Sequence, residues 1–131
     1  MEFKIYNANP KGWIHEGDCV VRSLSKAMDC QWTEVYQELY RIGLKKCRML
    51  NSKSVYEQLL IEKGWIKHKM PRHANNKRYT VEELINERSK GTLIISMANH
   101  LTTAIDGTLY DTWNCGRKSV GNYYTKRNEV E

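Results

Sequence analysis

Apolar positions recur at helical spacing over the first two thirds of the chain and alternate as in strands over the last third. From Cys19, the residues Val20, Val21, Leu24, Ala27 and Met28 fall on one helical face, with Arg22, Ser25, Lys26 and Asp29 mostly opposite. Asp18 stands where a carboxylate can take the unpaired N–H groups of that helix. A second helix is predicted after Thr33 as cap, with Val35, Leu39 and Ile42 buried and fraying near Gly43. Ser54-Val55-Tyr56-Glu57 reads as a capping box opening a third, with Leu59 and Leu60 inward and Gly64 as its stop. Thr80-Val81-Glu82-Glu83 is a second such box, opening a helix through Leu84 and Ile85 that Gly91 ends.

The strands predicted are Glu2–Tyr6, Trp65–Met70, Thr92–Met97, Asn99–Ile105, Thr108–Trp113 and Asn122–Lys126. Asn7–Gly12 and Pro71–Asn76 are loops by their Asn, Pro and Gly content, and Trp13 and Ile14 are expected to anchor the first. Asp106-Gly107 is a two-residue hairpin signal. Helices first and sheet second predict an α+β domain spanning 1–131, the Cys19 helix packed on a C-terminal antiparallel sheet.

Composition narrows the picture only in part. No apolar run is long enough to span a bilayer, and the N-terminal residues lack a signal-peptide pattern, so a cytoplasmic location without a membrane partner is expected. Cys19, Cys30, Cys47 and Cys115 form no CxxC pair and have no zinc-type spacing with the four histidines, so neither metal nor cofactor is expected. The net charge of +6 is moderate. Lys63–Tyr79 lacks carboxylates and carries six Lys or Arg residues, which makes a solvated surface the main reading and nucleic-acid binding a minor one.

The chemistry centres on Cys19. A cysteine on the first turn of a helix meets free N–H groups and the positive end of the helix dipole, which favour a thiolate. A cysteine hydrolase also needs a histidine base and a group that orients it. His100, opening a strand after Ala98-Asn99, has the best context. With Asp106-Gly107 as the turn, His100 falls opposite Trp113, and Asp111 lies diagonally on the same face, able to accept the imidazole N–H. One extra turn residue would put Asn114 there instead. His15 is an alternative base. His68 and His73, among basic residues, are expected to face solvent, and Cys30, Cys47 and Cys115 to be structural or incidental.

The order cysteine at a helix start, histidine on a strand, acid or amide on the next resembles the papain-like fold in a minimal form. Asp111-Thr112-Trp113 is similar to the Asn-Ser-Trp of papain-type peptidases, in which the tryptophan shields the histidine's hydrogen bond. Lys90-Gly91-Thr92-Leu93-Ile94-Ile95 followed by His100 resembles the arrangement in bacteriocin-processing peptidases. Asn9-Pro10-Lys11-Gly12, Gly17-Asp18-Cys19-Val20-Val21-Arg22, Lys77-Arg78-Tyr79-Thr80-Val81 and Tyr110-Asp111-Thr112-Trp113 resemble pieces of small papain-like proteins encoded in phages and their bacterial hosts. The resemblance implies a thiol peptidase or amidase acting on a protein or peptide. Cys19 would be nucleophile, His100 base, Asp111 orienting acid and Trp113 the shield. The papain-type glutamine that helps hold the oxyanion is replaced here by Trp13, so Asn9 or Asn7, with the Cys19 N–H, is expected to take its place. The alternative is a papain-like binding module that sequesters a partner without turnover.

Overall fold

The computed structural model describes residues 1–127. In chain order the elements are β1 (Glu2–Ile5), α1 (Cys19–Met28), α2 (Trp32–Lys46), α3 (Lys53–Glu62), β2 (Trp65–His68), α4 (Val81–Glu87), β3 (Thr92–Met97), β4 (His100–Ile105), β5 (Thr108–Asp111) and β6 (Tyr123–Lys126). The class is α+β, as the pattern predicts. The strands form one six-stranded sheet in the order β1-β5-β4-β3-β6-β2.

That sheet is mixed rather than antiparallel throughout, because β1 lies parallel to β5, Ile5 opposite Asp111. The chain leaves β1 into a long loop and then α1, with no tight turn to send it back antiparallel. The two strands from the helical part, β1 and β2, close the sheet's two edges.

Alternation along the strands sends side chains to two apolar layers. On one face Ile94, Leu101 and Tyr124 pack with Val21, Leu24, Leu39, Val55 and Leu59 of the first three helices. On the other, Leu93, Ile95, Ala104 and Tyr123 pack with Val81, Leu84 and Ile85 of α4 and with Cys115 and Val120. The helix α1 is buried nearly all round, including Arg22 and Ser25, which the periodicity places outside. It lies between the sheet and α2, so its polar residues bond internally: Ser25 donates to the Val21 carbonyl at 2.6 Å.

Several helix ends differ from expectation. The helix α2 begins at Trp32 after Gln31 rather than at a Thr33 cap, and it does not fray at Gly43. It runs to Lys46 and stops where Cys47 adopts a left-handed conformation, φ 55°. The Arg48 N–H then closes back onto the Gly43 carbonyl at 3.0 Å. Gly43 is therefore a close-approach residue: a Cβ there would sit 2.7 Å from the Arg48 carbonyl oxygen. Gly43→Ala is expected to destabilise the protein by about 1 kcal/mol, since overpacking of ~2 kcal/mol outweighs the ~1 kcal/mol helix gain. A urea midpoint checks this; an unchanged or raised midpoint would show that the turn yields freely.

The helix α3 starts after Ser52, and no Ser54–Glu57 box forms. Glu57 instead accepts the Tyr124 hydroxyl at 2.6 Å and pairs with Lys67 at 2.9 Å, a tertiary competition invisible to local pattern. The Thr80–Glu83 box is present in both arms, but α4 ends at Glu87, short of Gly91. Gly64, φ 83°, follows α3 as expected. Trp13 and Ile14 do not anchor their loop inward; both are exposed. Among the described residues no helix is long and apolar enough to cross a membrane.

Candidate active site

Two tight turns place the histidine and the acid. Ala98-Asn99 joins β3 to β4 with Met97 opposite His100, so His100 is the first residue of its strand. Asp106 and Gly107 both have positive φ, 49° and 84°, the conformation that the two-residue hairpin requires. Ile105 pairs with Thr108 and Thr103 with Tyr110. Counting on, Thr102 stands opposite Asp111 and His100 is diagonal to it. The His100 Nε2 lies 2.7 Å from Asp111 Oδ2.

The cysteine comes from the other side of the sheet. Ser23 on α1 donates its hydroxyl to the Leu101 carbonyl at 2.6 Å, and Thr103 of β4 donates to the Ser23 carbonyl at 2.7 Å. These two bonds pin α1 along β4 and bring Cys19, one turn before Ser23, to the strand's start. There the sulfur comes under the influence of the His100 ring and the Leu101 backbone N–H, both of which favour its charged form. Since Nε2 is engaged by Asp111, Nδ1 is the ring nitrogen left for sulfur. Cys19 packs with the helical layer and Cys115 with the opposite one. His100, at the end of the sheet, touches both.

Electrostatics follow from these contacts. Burial works against the His100 charge, but hydrogen bonds with Asp111, Cys115 and Cys19 and the Asp111 charge push its pKa up to about 11. Burial also opposes ionisation of Asp111, yet the bonds from His100 and Thr102, the His100 charge and the Thr112 N–H hold its carboxyl below the ordinary value. Cys19 is likewise disfavoured as a thiolate by burial, but the bonds from His100 and Leu101 and the charges of His100 and Arg22 bring the thiol below its ordinary value. Cys19, His100 and Asp111 thus favour a thiolate, an imidazolium and a carboxylate in a row.

Asp18 has a different task from the one expected. Its side chain makes no cap bond to α1. The carboxylate, buried beside the helix start, pairs with Arg22 and accepts the Trp32 indole N–H at 2.8 Å and the Asn9 amide at 3.1 Å. Its charge is therefore neutralised by Arg22 rather than set against Cys19. Asn9, expected as an oxyanion donor, serves as a strut of the same network: its amide goes to Asp18 and its side-chain oxygen accepts the Lys11 N–H at 2.9 Å. The Cys19 N–H, at the first helical position, has no acceptor within the helix.

Trp113 lies beyond the last paired residue of β5 and tilts over His100, ring centroids 5.0 Å apart. Asn114 is not at the histidine; its side-chain oxygen accepts the Gly116 N–H at 2.9 Å and closes the loop. His15 sits exposed in the loop before α1. His68 and His73 are not simply solvated: His68 stacks on Tyr123 and bonds Thr125 at 2.8 Å, and His73 stacks on Tyr79. Lys67, Arg72 and Arg78 of the basic segment are held by Glu57, the Asn76 carbonyl and the Val120 carbonyl respectively.

Two site residues escaped the sequence reading. Thr102 donates to Asp111 Oδ2 at 2.6 Å, and the same register count that places Asp111 would have placed it. Cys115 lies with its sulfur 3.7 Å from the same oxygen, reached through a loop that carries no periodic signal. A hollow of about 480 Å³ opens beside His100, lined by Arg78, Met97, Asn99, Trp113 and Lys118. A larger one of about 620 Å³ adjoins the start of α1, with Asn9, Trp13, Asp18, Trp32 and Tyr36 in its walls.

No family model matches this chain, and neither a curated protein nor a solved structure matches it.

Proposed function

We propose that this protein is a cysteine hydrolase of the papain-like kind, a thiol peptidase or amidase. Cys19 attacks an acyl carbonyl, and the bond from sulfur to carbon forms as the carbonyl electrons move to oxygen. The His100 imidazolium gives its proton to the leaving amine, which departs with the electrons of the broken C–N bond. Neutral His100 then takes a proton from water, which attacks the thioester and restores the thiolate. Asp111 fixes the ring and stabilises its charge. One observation carries the reading: His100, which favours the charged form of the Cys19 thiol, has its Nε2 2.7 Å from a buried carboxylate. Hollows open beside His100 and beside the start of α1.

The test is labelling with an iodoacetamide-type probe at pH 6.5, where ordinary thiols are about 99% protonated. The wild type is expected to label rapidly at Cys19, and Cys19→Ala only slowly at its other cysteines. Equal labelling of the two proteins would remove the hydrolase reading.

A second reading has one observation in its favour. With one of the two Asn9 amide protons given to Asp18, the Cys19 N–H is the oxyanion donor at the site that no other group claims. A binding module built on the same fold would need no more. It predicts that Cys19→Ala retains the protein's biological effect, whereas the hydrolase predicts its loss.

A further inference from the structure

Cys115 is a buried nucleophile for which the hydrolytic steps have no use. It is 1% exposed, and its thiol is directed at Asp111 Oδ2, 3.7 Å away. One ligand atom from each of His100, Asp111 and Cys115 falls within 4.8 Å of the others. The oxygen Oδ2 therefore collects an imidazole proton and a thiol proton, besides the Thr102 hydroxyl.

Two protons converging on one carboxylate oxygen are what a divalent cation replaces without changing net charge. We propose that His100 Nε2, Asp111 Oδ2 and Cys115 Sγ form a site for a thiophilic divalent cation, zinc by its donor set. Binding expels the Nε2 proton and the Cys115 proton to solvent. Tetrahedral zinc needs sulfur and oxygen ligands about 3.6 Å apart and nitrogen and oxygen ligands about 3.3 Å apart. The S–O separation of 3.7 Å already fits, and the N–O separation of 2.7 Å must open by about half an ångström once its proton is gone. The carboxylate is held from outside by the Thr102 hydroxyl and the Thr112 N–H, both at 2.6 Å, as metal-binding carboxylates are. Three protein ligands leave a fourth position for water.

The consequence for turnover rests on the proposed hydrolase. A cation on Nε2 breaks the pairing with Asp111 and leaves a ring whose one proton, on Nδ1, could be given up only as an imidazolate, so the metal-loaded protein is switched off. The cation site itself does not depend on that reading.

Cobalt(II) reports the site directly through its thiolate-to-cobalt absorption in the near ultraviolet. The full chain and Cys19→Ala are both expected to give this band. Cys115→Ser, shown folded by circular dichroism, is expected to lose it and to bind cobalt more than about tenfold more weakly. Asp111→Asn, which keeps every thiol, is expected to weaken binding by a similar factor. Zinc is expected to slow Cys19 labelling in the wild type and not in Cys115→Ser. Absence of the band in the folded wild type would overturn the proposal. So would its persistence in Cys115→Ser, or its loss in Cys19→Ala, which would assign the cation to the nucleophile instead. Slow labelling of metal-free wild type with the cobalt band intact would sink the hydrolase and leave the cation site standing.

Discussion

His100→Ala is expected to slow alkylation of Cys19 at pH 6.5 by about 100-fold and to lower any hydrolytic kcat/KM by at least about 1,000-fold. In the intact protein the thiol ionises below its ordinary value because His100 and the Leu101 N–H bond the sulfur and His100 and Arg22 charges face it. His100 keeps its proton until about pH 11. Between those two limits the thiolate sits beside an imidazolium, so the alkylation rate should level off once pH exceeds the lowered thiol pKa and stay level toward pH 11. Without the imidazole, burial of the sulfur is no longer offset to the same extent. Ionisation then moves toward the ordinary range near pH 8.5, and at pH 6.5 only about 1% is thiolate. The profile separates this from a packing defect, which would lower the rate without moving its midpoint. An unshifted midpoint in His100→Ala would show that the helix terminus alone activates Cys19.

The geometry of that pair was legible in the sequence to an uneven degree. The hairpin count works because Asp-Gly fixes both the turn and its length, and every cross-strand neighbour then follows from arithmetic: Asp111 falls diagonal to His100. The turn between β3 and β4 was not read: Asn99, expected to open the strand, has φ 57° and turns the chain with Ala98, so β4 starts at His100. Cap chemistry was less readable, because Asp18, Ser54 and Glu57 all have the local signature of a cap and the first and last are claimed by distant partners, Trp32 and Tyr124. Arg22 is the clearest case. Its spacing puts it on the polar side of α1, yet it is buried there, paired with Asp18, whose carboxylate also binds Trp32 of α2 and Asn9 of the loop before α1. Nothing within a helical window reveals what will later cover the helix. Cys115 shows the same limit in a loop: four positions after Asp111, it returns under the carboxylate by a path that has no period to read.

Asp18→Ala is expected to cost about 3–5 kcal/mol of stability, a large share of the ~5–15 kcal/mol a domain of this kind possesses. The loss is not the value of one ion pair. It is the cost of leaving the Arg22 guanidinium, 7% exposed, without its counter-charge, together with the Trp32 indole N–H and the Asn9 amide that the carboxylate accepts. Asp18→Asn keeps an acceptor for Trp32 but not the charge, so it should fall between wild type and Asp18→Ala in urea midpoint. The reactivity of Cys19 supplies a second readout. If Asp18 only supports the loop and α1, the fraction of Asp18→Ala that remains folded keeps an acid-shifted Cys19, because the Arg22 charge that favours the thiolate is still present and no longer neutralised. A variant as stable as wild type would mean that Arg22 reaches water when unpaired. A stable variant whose Cys19 titrates in the ordinary range would instead place Asp18 in the chemistry and not in the frame that holds it.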